Sequence, residues 1–395
     1  MTRLLMLSTL LVGMLGCHDT ATGVVKGACR GCFDVTGACL PGTSEDACGA
    51  PGDRCVACGS GEVCAPHGAC ITSDVVVEQP DAGTTMGPPD AGASAPPDAG
   101  VTPTPDAGMS STPCPPDGWC REIVATTAHL RSVWAVSPTD VWVVGDSGTV
   151  LHFDGTQWTQ VNVGRGDDFF GVWASGPSDV WVVGGTGFPS GPIGVVQHFD
   201  GATWSTVKSN LPRVDAVWGS AANDVWFVGP AGAMHHWDGA SFTTLPAVTT
   251  KDITDVHGVS ATNATAVGAS GLIVSWDGVS WQVVPTNQFS GYTSALSFNA
   301  STTWVAGGNG AFAMRSNSAW SNVALPQDVT VMGMWGPSPS AVWAVGPGGE
   351  VRFFNGTQQQ LKTSGTTQFL RDVHGCDASH VWAVGFNGTV LRYVP

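Results

Sequence analysis

Residues 141–145 read Val-Trp-Val-Val-Gly, and after a Gly-bearing turn the chain runs Val150-Leu151-His152-Phe153-Asp154-Gly155. The same phrase returns six more times. Aligned on its last glycine it falls at Gly145, Gly184, Gly229, Gly268, Gly307, Gly346 and Gly385, in steps of 39, 45, 39, 39, 39 and 39 residues. A fixed period of this length, rich in β-branched and aromatic residues, is the signature of a propeller with four short strands per blade.

Each unit contains four strand-like pieces, seen first at residues 132–136, 141–145, 150–154 and 158–162. The second piece is apolar throughout, as expected of a strand covered on both faces by neighbouring blades. Between the pieces stand Ser-Pro-Thr-Asp, Asp-Ser-Gly and Asp-Gly-Thr-Gln, residues that favour turns. The Asp-Gly or Asn-Gly signal recurs at Asp200, Asp238, Asp277 and Asn355. Asp140, Asp179 and Asp224 precede the second strand and are expected to cap a turn with side-chain hydrogen bonds.

The two ends of the repeat region complement one another. The seventh unit stops at Leu391-Arg392-Tyr393, which aligns with Leu151-His152-Phe153, so its fourth strand is missing. Trp119 precedes Trp134 by 15 residues, the step that also separates Trp158 from Trp173 and Trp320 from Trp335. Residues 118–125 are therefore expected to supply that outer strand and close the ring, removing exposed sheet edges. The fold class predicted is all-β, a seven-bladed β-propeller of four-stranded blades.

Four segments precede the propeller, itself placed at residues 114–395. Residues 1–16 read as an export signal, with Arg3 as a minimal basic region and residues 4–15 as an apolar core too short to span a bilayer as a helix. Residues 17–28 form a tether. Residues 29–70 hold Cys29, Cys32, Cys39, Cys48, Cys55, Cys58, Cys64 and Cys70 among Gly, Pro and Asp, with almost nothing to build a core. In an exported chain this reads as a disulfide-stapled module. The paired CxxC spacings, Cys29–Cys32 and Cys55–Cys58, also suit zinc, but export and four further cysteines favour disulfides. Eight cysteines leave the connectivity open. Residues 71–113 repeat Pro-Asp-Ala-Gly at Pro80, Pro89, Pro97 and Pro105, a composition that has no apolar face and reads as a disordered stalk.

Met14-Leu15-Gly16-Cys17 resembles the lipobox of bacterial lipoproteins, which implies cleavage before Cys17 and lipidation of its thiol; Met14 stands where that family usually has Leu. The repeats resemble the WD-repeat class of propeller over residues 118–395, with Trp237-Asp238 and Trp276-Asp277 standing where that class ends its third strand. No Gly-His pair opens the repeats. A bacterial variant marked by D-V-W-x-V-G is the closer likeness. With the cysteine module and the stalk, the whole resembles surface lipoproteins of myxobacterial type. That resemblance implies an exported location, an outer-membrane or cell-surface lipoprotein held by its acyl anchor, and brings no activity with it.

The formal charge of −16, with 11 Lys+Arg against 19 Asp+Glu in residues 114–395, leaves no basic stripe for nucleic acid. A sialidase-like site is not legible: Asp154-Gly155-Thr156-Gln157-Trp158 lacks the spacer of the Asp-box. The propeller contains only Tyr292 and Tyr393, Glu122 and Glu350 for such chemistry. His152, His198 and His236 repeat one position in three blades and face a neighbouring blade or solvent rather than one another. His257 and His374 replace a repeated tryptophan and read as core histidines. Asp167-Asp168 has no EF-hand pattern. No nucleophile elbow, zincin or phosphate-loop motif occurs. No catalytic residue, metal ligand or cofactor is assigned.

One ring of positions varies among the repeats. Three residues before the first-strand tryptophan site lie Arg131, Phe170, Asp215, Thr254, Thr293, Met332 and Arg371, each preceded by an apolar residue. With first strands lining the channel, this ring sits near its mouth, where Arg371, Arg131, Phe170 and Asp215 are consecutive. Two arginines beside an aromatic suit a carboxylate or acidic sugar through bidentate hydrogen bonds and stacking. The bland alternative pairs these arginines with Asp372, Asp215 or other local acids. The one sizeable blade insertion, residues 186–194 with Phe188, is on the same face. Cys114 and Cys120 are spaced to close a small loop at the start of the ring-closing strand, and Cys376 is the odd cysteine.

Function is read as binding: a surface-anchored scaffold whose propeller takes a protein or acidic glycan. The alternatives are a polysaccharide hydrolase or lyase with its centre in the propeller mouth, and a purely structural coat protein.

Overall fold

The computed structural model describes residues 118–395 apart from 187–192, 318, 324 and 327, and the backbone of four short strands before them. Those four make two antiparallel pairs, Thr43–Ser44 with Ala47–Cys48 and Glu62–Cys64 with Cys70–Thr72; Cys64 lies opposite Cys70. The signal segment, Cys17, Cys29, Cys32, Cys39, Cys55, Cys58, Cys114, the stalk and Phe188 lie outside the described residues.

Residues 118–395 fold into seven four-stranded antiparallel sheets. Blade one is Leu130–Ser137, Asp140–Gly145, Val150–Phe153 and Trp158–Gln160. The first strands of blades two to seven are Asp168–Gly176, Ala216–Ala221, Ile253–Ser260, Tyr292–Asn299, Gly333–Ser338 and Leu370–Asp377. Each packs against the first strand of the next blade, and Leu370–Asp377 packs against Leu130–Ser137, so the first strands ring a central channel. Gly118–Arg121 pairs with Thr389–Val394, with Trp119 opposite Tyr393 and Cys120 opposite Arg392. The expected closure is present, in a strand shorter than residues 118–125.

The second strands are the densest part of the core. Val141, Val143 and Val144 are inaccessible to solvent, as are Val180–Val183 in blade two. An uninterrupted apolar run survives here because blades cover both faces of the strand. The tryptophans of the first strands span the joints between blades. A Cβ at Gly258 of blade four would stand 2.5 Å from Cη2 of Trp218 in blade three, and Gly219 stands in the same relation to Trp173. At Gly219, Gly258 and Gly375 glycine follows the tryptophan site because the previous blade's indole occupies that space.

The repeated polar residues are structural, in two ways. Asp154 Oδ1 accepts from the backbone amides of Thr156 (2.8 Å) and Gln157 (2.9 Å), and the Thr156 hydroxyl with those amides holds its carboxyl down to about 2. Asp200, Asp238, Asp277 and Asn355 repeat the turn. Asp179 and Asp224 close the turn before the second strand as expected, their Oδ2 accepting from the Ser175 and Ser220 hydroxyls, and all three aspartates have a second partner. Each meets Nε2 of the third-strand histidine of its own blade, at 2.8 Å for His152 and 2.6 Å for His198 and His236. Each imidazole is stacked on the second-strand tryptophan, 4.1 Å from Trp142 and Trp181 and 4.2 Å from Trp226. A half-buried polar network thus fixes the rim of three blades. Asp167 and Asp168 are likewise engaged: Asp167 pairs with Arg165, and Asp168 accepts from the Ser147 amide at 2.8 Å.

Candidate functional site at the channel mouth

The variable ring is a ring of β-bulges. The register between first and second strands skips one residue in five blades, and the skipped residues are Arg131, Phe170, Thr254, Thr293 and Arg371. Asp215 and Met332 occupy the same place immediately before shorter first strands, their amides donating to Val228 O and Val345 O at 2.8 Å. A bulge leaves a residue out of the ladder and re-aims its side chain. All seven line one cavity of about 300 Å³ at one end of the channel.

The floor of this cavity is the tryptophan-site layer. Trp134, His257, Leu296, Trp335 and His374 border both this cavity and a second, of about 190 Å³, towards the other end. Trp134 is stacked on His374 at 4.0 Å. Nδ1 of His374 accepts from the Ala135 amide (3.0 Å), and Nδ1 of His257 from the Ser297 amide (3.1 Å). Both histidines are held by the next blade, as core histidines are. Cys376 is half-buried below them and packs with Val124 and Trp158 against the blade-seven and blade-one core.

Around the mouth, blades seven, one, two and three bring Arg371, Arg131, Phe170 and Asp215 into one wall, with Arg213 joining them. Arg131 Nε pairs with Asp146. Arg213 grips Asp215 with both arms of its guanidinium, Nε to Oδ1 at 2.5 Å and the second nitrogen to Oδ2 at 2.9 Å. The guanidinium carbons of Arg131 and Arg213 lie 5.0 and 5.3 Å from the centre of the Phe170 ring. That ring is the spacer holding two cations, rather than a free stacking platform. Arg371 has no carboxylate in ion-pair contact among the described residues; burial, then the like charge of Arg131, pull its pKa below the usual guanidinium range.

Thr254 and Thr293 do another job. Their hydroxyls donate to the next blade's backbone, Tyr292 O at 2.8 Å and Val331 O at 2.5 Å. Beneath Arg371, Asp372 is half-buried and Asp255 occupies the equivalent place in blade four. Asp372 Oδ2 accepts from the Ser132 hydroxyl (2.9 Å) and the Val133 amide (3.0 Å), while Asp255 Oδ2 accepts from the Ala295 amide (2.8 Å). Burial raises both carboxyls, Asp255 to about 7 with the charge of Asp372 contributing. Sequence reasoning missed Arg213, which precedes its strand; the Arg-x-Asp spacing at 213–215, repeated at 165–167, was the available signal.

The fold has clear counterparts among solved structures. YCF48 bound to D1 peptide is 18% identical with a TM-score of 0.58, over 70% of this chain and 97% of that one. YCF48 from Cyanidioschyzon merolae is likewise 18% identical with a TM-score of 0.58, over 70% and 99%. The WD40 β-propeller domain of Doa1 matches at 14% identity and a TM-score of 0.58, over 70% and 97%. At these identities the likeness shows a WD40-like seven-bladed propeller and nothing finer. No family model and no curated protein matches the chain. Among the described residues no helix is long and apolar enough to cross a membrane, and no three His, Cys, Asp or Glu are grouped to hold a metal.

Proposed function

We propose that this protein is an exported, lipid-anchored binding scaffold whose propeller takes a protein or acidic glycan at the channel mouth, without enzymatic chemistry. One observation carries the reading: three guanidiniums, of Arg131, Arg213 and Arg371, converge on the walls of an open cavity on a rigid ring. Such preorganised donors favour an anionic group without further ordering cost. YCF48, of the same fold, binds the D1 peptide, which makes a polypeptide a natural occupant for such a mouth. Hydrolysis would need a carboxyl free to exchange protons with a substrate. Of the three that line the cavity, Asp215 is held by Arg213 and Asp255 and Asp372 are committed to backbone amides, which favours binding over the hydrolase or lyase reading. The anchor is Cys17, with the eight-cysteine module paired as disulfides, Cys114 joined to Cys120, and the stalk holding the ring off the surface.

The test is a panel of cell-envelope proteins, peptides and acidic glycans against the full mature chain, beside the double variant Arg131→Ala with Arg371→Ala. Binding that disappears in the variant at unchanged melting temperature is expected. A panel without one binder overturns the binding reading and leaves the structural coat. For the anchor, metabolic labelling with a fatty acid is expected to mark the wild type and not Cys17→Ser.

A further inference from the structure

The three guanidiniums of the mouth are not equivalent. Two are already neutralised by neighbours, Arg131 by Asp146 and Arg213 by Asp215. Arg371 lies on the same wall, is partly desolvated there, and has no such contact partner among the described residues; the adjacent Asp372 turns Oδ2 to Ser132 and Val133 of blade one and Oδ1 to the Val373 amide. Asp372 and Asp215 attract Arg371 only from beyond contact, and a partly desolvated cation without a contact counter-ion is a cost that an incoming anion removes.

The remaining lining says what that anion carries with it. A sugar acid brings several hydroxyls, each seeking an acceptor. The acceptors of the mouth are engaged: Asp215 by Arg213, Asp255 and Asp372 by backbone amides, and the Thr254 and Thr293 hydroxyls are donated to carbonyls. Met332 stands on the rim, and below the guanidiniums the floor is Trp134, Leu296 and Trp335 with the ring faces of His257 and His374, a largely apolar lining that suits methylene groups. A carboxylate on an apolar stem satisfies both halves; a hydroxyl-rich ring satisfies one.

We propose that Arg371 is the recognition cation of the mouth and that it receives the side-chain carboxylate of an acidic segment of a partner protein, entering along the channel axis. This rests on the reading of the mouth as the binding site. Arg131 and Arg213, held by their own acids on either side of Phe170, shape the wall, while Arg371 makes the two parallel hydrogen bonds. The acids beneath add a signature. The groups facing Asp255 across the channel are Arg131, Arg213, Asp215, Arg371, Asp372 and the imidazoles of His257 and His374. Ionised Asp255 repels the incoming carboxylate, so affinity falls as pH rises through about 7, and binding below that pH is accompanied by little proton uptake.

The experiment titrates the full mature chain with an end-blocked peptide Gly-Ser-Gly-Glu-Gly-Ser-Gly, its Glu-to-Gln counterpart and oligogalacturonate. Binding is read by calorimetry and by indole fluorescence of the floor. The Glu peptide is expected to bind, the Gln peptide and the Arg371→Gln protein to bind at least about tenfold more weakly, and Arg371→Lys to fall between them with unchanged melting. Equal binding by wild type and Arg371→Gln, with loss in Arg213→Gln, overturns the role of Arg371 and leaves the mouth as a binding site. Tighter binding of oligogalacturonate than of the Glu peptide overturns the partner class. No binding of any probe to the wild type overturns this proposal, while the wider panel above still decides the binding reading.

Discussion

Asp372 accepts a hydrogen bond from the hydroxyl of Ser132, 2.9 Å away across the joint between the last blade and the first. The same carboxyl oxygen takes the Val133 amide, and two residues on His374 takes the Ala135 amide. Asp255 and His257 repeat this pair of bonds onto Ala295 and Ser297 between blades four and five. The Asp-Val-His runs at 255–257 and 372–374 are therefore fasteners between blades, placed where other blades use the tryptophan site.

These fasteners make stability depend on pH. Asp255 has its folded pKa raised from 3.8 to about 7, mainly by burial. The stabilisation from its neutral form is fully present below about pH 4 and is lost as pH rises towards 7, because the folded state binds the proton more tightly than the unfolded chain. Asp255→Asn keeps an acceptor for Ala295 and does not ionise. Denaturant unfolding between pH 4 and 8 is expected to show a decline in the wild type that is flatter in the variant; parallel curves would exclude Asp255 as the source.

Ring closure rests on a few residues at the start of the domain. Trp119 is 3% exposed, sits edge-on to Trp343 at 5.1 Å and lies opposite Tyr393. Trp119→Ala removes most of that packing and is expected to cost about 3–5 kcal/mol, measured as a lower midpoint in chemical denaturation. A midpoint within error of the wild type would mean the seventh blade stands without its borrowed strand.

The glycine after the tryptophan site offers a more local test. In Gly258→Ala the new methyl would stand 2.5 Å from the Trp218 indole and 2.6 Å from the Asn263 carbonyl oxygen, neither of which has room to retreat. Overpacking of this kind costs about 1–3 kcal/mol. Gly176→Ala, where nothing stands within 4 Å, is the control and is expected to leave melting unchanged.

How far the residues alone reach can be seen position by position. The 39-residue period, the apolar second strands and the 15-residue step from Trp119 to Trp134 determined the blade number, the strand order and the way the ring closes, because each depends only on spacing along the chain. The seven variable positions were legible as a set for the same reason: a bulge recurs at one place in the repeat. What each does was decided by contacts between blades. Phe170 became a spacer because Arg213, outside the repeat pattern, came to lie over it. Asp140, Asp179 and Asp224 became partners of third-strand histidines, with Asp179 and Asp224 also capping their turns, because a strand pairing set twelve or more residues apart places them together. Arg371 was left without a carboxylate in ion-pair contact because the one beside it in sequence is held by the blade on the far side of the joint. Periodicity reports which residues are equivalent; only the closed ring determines which charges meet.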